Sequence, residues 1–336
     1  PRRPVDRPRF GEGMSYAPPP DPAVVAFGGG HGLSATLGAL RLVTSRISAV
    51  VSVADDGGSS GRLRQEFDVL PPGDLRMALA ALSDSGHRGQ TWRDVFQHRF
   101  SSEGPLNKHA VGNLVITALT ERTGDPVTAL DLAGELLHAK GRVLPQSTIP
   151  LQLQAEVVDG EGNSEVLSGQ SRLASTTSHI ERLWVTPSDA PACAEAVDAV
   201  GQADWLIFGP GSWFTSVIPH LLLPDMAAAL RAAPGKKCLT SNLIAQDGET
   251  AAMDTAALLE AFHDHAPDLK IDVVIADPIT VRDGEELENQ AKLMGAKLLL
   301  RRVARGRNPG MHDTVRLAAA YRDVFEGAYL NFKVAK

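Results

Sequence analysis

The chain has 336 residues, 43% of them apolar, enough to bury one large core or two closely packed halves. Its formal charge of -7 gives no overall attraction to nucleic-acid phosphates or anionic lipid. Cys193 and Cys238 are the only cysteines and lack metal-ligand spacing, which suits reduced thiols better than a disulfide framework.

No apolar run approaches the roughly 20 residues of a membrane helix, and no basic start leads into an apolar signal core. The expectation is therefore a cytoplasmic protein with no nucleic-acid partner and no membrane insertion. Residues 1–22 mix Arg2, Arg3, Arg7 and Arg9 with Pro18, Pro19 and Pro20; they have little to bury, and a disordered tail is expected.

Residues 23–330 are expected to form one α/β domain. Residues 23–27 are a short apolar run that stops at Gly28-Gly29-Gly30, and residues 33–46 read as a helix. Strand, glycine turn, helix is a phosphate-loop layout. A second, β-branched run at 47–53 ends at Asp55-Asp56-Gly57-Gly58-Ser59-Ser60-Gly61, within the length of a right-handed βαβ unit. Residues 75–82, 92–100, 113–123 and 127–139 carry apolar side chains at helical spacing.

The texture changes between residues 142 and 185. Leu151, Leu153, Ala155 and Val157 alternate with polar residues, and Gly160 and Gly162 supply a turn, which predicts a small antiparallel excursion. Helical and antiparallel insertions thus occupy about 85–185. Strand and helix then alternate again, with apolar runs at 205–208, 237–240 and 273–276 ending at Gly209-Pro210-Gly211-Ser212, Ser241-Asn242 and Asp277-Pro278. The predicted fold is Rossmann-like: a mostly parallel sheet with helices on both faces and a ligand crevice beyond the strands' carboxyl ends.

The loop Gly28, Gly29, Gly30, His31, Gly32, Leu33 offers backbone N–H groups and a positive helix dipole to a phosphate. It departs from the dinucleotide pattern because Leu33 stands where the third glycine belongs, and it lacks the Walker lysine. Asp55 and Asp56, beside Ser59 and Ser60, suit a polar ligand or Mg²⁺; a carboxylate there also suits a ribose diol.

Asp74, at a predicted helix start, reads both as a cap and as a ligand contact. Asn107-Lys108-His109 before a helix that includes Asn113 is an anion site of modest specificity. Gly209, Gly211, Ser212 and Thr215 make a second phosphate-type loop. Asn242, Gln246 and Arg305 are weaker candidates for lining the same crevice, Arg305 within a basic stretch that also holds Arg301, Arg302 and Arg307.

These segments, in order, resemble the bacterial gluconeogenesis factor (YvcK-like) family. The resemblance runs through residues 28–34, 54–64, 72–76, 209–212, 216–219, 242–250 and 312–314, covering roughly 22–330. That family is related to 2-phospho-L-lactate transferase (CofD), which uses a guanine nucleotide donor and Mg²⁺ in a Rossmann-like fold. The resemblance implies a cytoplasmic protein that binds a UDP-sugar, UDP-N-acetylglucosamine first among them, and is needed for cell shape and for growth on gluconeogenic carbon.

His31 stands where many relatives have Thr, and Met77 where Asn is common. A Mg²⁺-dependent transferase of the CofD type and a nicotinamide-dinucleotide binder are the alternative functions. Self-association into a homo-oligomer and modification by a Ser/Thr protein kinase complete the expected partners.

Overall fold

In the computed structural model, residues 21–244, 248, 250, 253–306 and 308–331 are described. Within them the apolar runs form strands β1 (Val24–Gly28), β2 (Ile47–Val51), β3 (Arg142–Pro145), β4 (Gln152–Val158), β5 (Ser164–Ser168), β6 (His179–Thr186), β7 (Trp205–Phe208), β8 (Lys236–Thr240), β9 (Val273–Ala276), β10 (Lys297–Leu300), β11 (Ala304–Arg305) and β12 (Asn308–His312). The helices are α1 (Gly30–Leu40), α2 (Gly58–Phe67), α3 (Pro72–Leu82), α4 (His87–Gln97), α5 (Val111–Thr123), α6 (Pro126–Leu136), α7 (Gln170–Ser175), α8 (Ala194–Gln202), α9 (Pro224–Ala232), α10 (Thr255–His265), α11 (Gly284–Leu293) and α12 (Thr314–Phe325).

Seven strands form one sheet in the order β10-β9-β8-β7-β1-β2-β3, and every pair in it is parallel. The central strands β1 and β7 are buried at every position, as befits strands covered by helices on both faces. Trp213, Phe27, Phe208, Phe262 and Tyr321 are the largest wholly buried side chains around this centre, with Phe96 in the helical half. The α/β Rossmann-like reading is thus correct, and so is the antiparallel excursion, where β5, β4 and β6 form a three-stranded sheet.

Two details differ from expectation. Residues 142–145 begin the change of texture yet belong to the main sheet, as the edge strand β3 paired parallel to β2; four residues are too short for periodicity to separate an edge strand from the excursion that follows. Residues 304–305 and 308–312 pair antiparallel as β11 and β12, unforeseen because a two-residue strand has no hydrophobic period. Among the described residues, no single helix is long and apolar enough to cross a membrane.

Candidate functional site

The chain leaves β1 toward β2 on one side and reaches β7 on the other, so strand order reverses between β1 and β7. Open α/β sheets hold ligands beyond the carboxyl ends at such a reversal. Both glycine loops lie there. Gly32, in the first turn of α1, runs directly against the second loop: a Cβ on it would stand 2.1 Å from the Pro210 carbonyl oxygen and 2.6 Å from the Gly211 Cα. Only a residue without a side chain allows this approach.

The underside of the junction is held by hydroxyl groups and one amide. The Thr36 hydroxyl donates to the Gly209 carbonyl (2.9 Å), and the Tyr321 hydroxyl of α12 lies 3.4 Å from Thr36 and 3.0 Å from the Thr240 hydroxyl. Asn242 clamps Gly211 from β8: its Oδ1 accepts from the Gly211 N–H (2.9 Å) and its Nδ2 donates to the Gly211 carbonyl (2.8 Å). Asn242, expected to touch ligand, thus spends its amide on shaping the loop. Replacing it with alanine leaves two buried backbone groups unpaired, an expected loss of about 2 kcal/mol, measurable by urea denaturation, together with weaker ligand binding.

Three further sequence candidates lie behind the loops. Leu33 is 1% exposed and packs its Cβ 3.4 Å from where a Cβ on Gly28 would sit, so it anchors α1 in the core instead of meeting ligand. Thr215 is buried and its hydroxyl pairs with that of Ser212. Gly209 is buried in the left-handed region at φ 70°. Ser212 is partly exposed.

The two neighbouring aspartates do not form the expected pair. Asp56 is exposed, and its Oδ1 accepts from the Ser171 N–H (2.9 Å) and hydroxyl (2.8 Å), which fastens the loop after β2 to α7. Consecutive extended residues point opposite ways, and Asp55 turns inward. It accepts from the Gly57 N–H at 2.9 Å and from Ser60, while burial and the charge of Asp56 raise its pKa.

The acidic partner of Asp55 is Asp74. Burial and the charge of Asp55 push Asp74 up from 3.8 to about 7, opposed by a hydrogen bond from the Gly30 N–H and by Arg76. Asp74 is the third residue of α3 and does not cap it; Pro71 is the cap residue, with no side-chain bond. A Cβ on Gly29 would come within 2.4 Å of an Asp74 carboxylate oxygen. Asp74 therefore ties the start of α3 to the glycine loop of α1.

Ser60 faces Asp55, and Ser59 faces the other way into a buried polar chain. Arg76 Nε donates to Asn113 Oδ1 (2.8 Å), Asn113 Nδ2 donates to Ser59 Oγ (3.0 Å), and Ser59 Oγ lies 2.9 Å from His109 Nδ1. Asn113 and Ser59 thus sit together, as one site requires. Arg76 was absent from the sequence candidates, although an arginine between Gly73 and Ala80 on a buried helix face is a readable signal. Helices α1, α2, α3 and α5, whose first turns carry these groups, all lack a side-chain cap.

On the β8 side, a pocket of about 240 Å³ is lined by His31, Gly32, Pro210, Asn242, Ile244 and Met311, among others. Ile244 is 56% and Met311 50% exposed, an apolar lip beside two phosphate-type loops. Arg305 is exposed on β11 in the hairpin that supplies Met311. Gln246 lies outside the described residues. Among those described, no cluster of three or more His, Cys, Asp or Glu is placed to hold a metal ion.

A doubly wound α/β domain with a glycine-lined crevice at its strand-order reversal is the class defined by this geometry. The family model described as 2-phospho-L-lactate transferase CofD matches residues 24–318. A putative gluconeogenesis factor of Mycobacterium tuberculosis is 47% identical over 302 residues, 88% of each chain. The gluconeogenesis factor of Bacillus subtilis is 35% identical over 319 residues, 91% of this chain and 98% of the relative. A crystal structure of a UPF0052 family protein from Bacillus halodurans superposes with a TM-score of 0.80 at 32% identity, covering 90% of this chain and 98% of that one. The chain belongs to the gluconeogenesis factor family, with a CofD domain.

Proposed function

We propose that the crevice binds a nucleotide sugar, with UDP-N-acetylglucosamine as the first candidate, and that the protein acts by recognising it, as a cytoplasmic regulator of cell shape and of growth on gluconeogenic carbon. The observation that carries this reading is the backbone contact between the Gly28–Gly32 and Gly209–Ser212 loops. It sets two sets of amide donors side by side, the arrangement a diphosphate requires. The pocket lined by His31, Ile244 and Met311 offers apolar surface for a base. Relatives named gluconeogenesis factor support the physiological part.

The residues present also suit Mg²⁺. Asp55 and Asp74 are hard oxygen donors held near one another; burial raises the pKa of both, and the charge of Asp55 raises that of Asp74 further. A dication would relieve that cost. They would hold the metal with its remaining positions taken by water and phosphate oxygens, and bound Mg²⁺ would neutralise phosphate charge. The same pair favours the second reading, a Mg²⁺-dependent transfer of a phosphorus-containing group.

Calorimetry in Mg²⁺ separates these. UDP-N-acetylglucosamine should bind at least tenfold more tightly than NAD, a gap of about 1.4 kcal/mol, and be recovered intact by chromatography after prolonged incubation. Tighter binding of NAD would replace the sugar nucleotide with a dinucleotide. Release of UDP or UMP that depends on the protein would establish the transferase or hydrolase reading.

A further inference from the structure

Arg76 is 3% exposed. Its single hydrogen bond is the one from Nε to Asn113, and none of the ion pairs among the described residues includes it. Its Nη donors make no hydrogen bond to protein among the described residues, and they are not fully enclosed, so they face solvent. Arginine keeps its proton, so the guanidinium stays a cation with open donor positions. Asp74, two places earlier on α3, favours the cation through its charge without forming an ion pair with it, and accepts from the Gly30 N–H.

The surroundings are made of donors. The Nε–H of Arg76 fixes Asn113 Oδ1 as an acceptor, so Asn113 Nδ2 is the donor to Ser59, whose own hydroxyl proton is then free for His109 Nδ1. That arrangement leaves the imidazole proton on Nε2. His109 and Ser59 are each 6% exposed and Asn113 1%. The uncapped first turns of α2 and α5 begin at Gly58 and Val111 and add positive dipole ends. Gly112 makes the approach of Arg76 possible, since a Cβ there would lie 2.9 Å from the arginine Cγ and Cδ.

We propose that Arg76, with His109, Ser59 and the first turns of α2 and α5, forms a second anion subsite, separate from the glycine loops, that takes the phosphate or carboxylate group of a small acidic molecule. The cation is held in place through Nε with its Nη donors open, and a bound anion would supply acceptor oxygens to them in the bidentate geometry that guanidinium favours. The subsite stands whether or not the glycine loops hold a nucleotide sugar, because it rests on different residues.

The test uses the whole chain with inorganic phosphate and, separately, succinate as probes, in low-salt buffer, by calorimetry and thermal denaturation. The Gly211→Val variant, which blocks the glycine loops, should still bind one probe. In Arg76→Met that binding should weaken at least tenfold, with Arg76→Lys intermediate because it keeps the charge and loses the fork. A response to phosphate alone or to succinate alone identifies which acid the subsite accepts.

Without anion, Arg76→Met should be only modestly less stable than the parent chain, the loss coming from the Asn113 Oδ1 left without its donor. If it is strongly destabilised and Arg76→Lys binds both probes with unchanged affinity, Arg76 is structural and the subsite is wrong. Equal loss of probe binding in Gly211→Val alone would likewise overturn it, by placing every anion on the glycine loops.

Discussion

Gly32→Val is expected to abolish ligand binding and to destabilise the chain by about 3 kcal/mol, the upper range for overpacking a close contact. The new Cβ would stand 2.1 Å from a backbone oxygen of Pro210, so no rotamer relieves the clash and the two loops must separate. Gly38→Ala, later in α1, is the control. Its Cβ would meet only the Thr314 methyl at 3.7 Å, an ordinary contact, and the helix should gain a few tenths to 1 kcal/mol with binding intact. Urea denaturation and calorimetry on both variants decide the matter; normal ligand binding by Gly32→Val would show that the loops do not share a ligand.

The second large effect is a pH dependence centred on Asp74. Its carboxyl is raised from 3.8 to about 7 in the folded chain, so between these values the native state holds a proton that the unfolded state has lost. Stability should therefore fall as pH rises from about 4 to about 7 and level off above, by at most about 4 kcal/mol. Asp74→Asn should flatten this slope and be the more stable chain at pH 8. Mg²⁺ should stabilise the parent chain more at pH 8 than at pH 5.5, since it competes with the proton for the same oxygens. An unchanged pH slope in Asp74→Asn would remove Asp74 as its source, and an absence of any Mg²⁺ effect at either pH would remove the metal.

How far the sequence could be read depended on how local each feature was. The strands at the sheet centre were legible because β1, β2 and β7 are apolar runs that each end at glycine or aspartate, and both glycine loops were legible because a run of small residues after a strand has few other uses. Side-chain direction was not. Asp55 and Asp56 look like a pair on paper, but the backbone sends Asp56 toward Ser171 and Asp55 toward Asp74, nineteen places further along. Leu33 and Thr215 lie in the predicted loops with their side chains turned into the core, and Asn242 is a clamp whose partner, Gly211, is thirty-one residues away. Arg76 was readable as an arginine on a buried helix face, but that its Nη donors find no protein acceptor among the described residues is visible only when the chain is folded around it.

The contacts that make the crevice join very distant parts of the chain. Thr36 meets Gly209 across 173 positions and Tyr321 across 285. Such contacts carry a high loop-closure cost and form late. During synthesis the first glycine loop would leave the ribosome long before its counterpart, and α12 would follow later still. The binding site is thus a product of completed folding, so a truncated or stalled chain would have no partial version of it, and a ligand bridging the loops would selectively stabilise finished molecules.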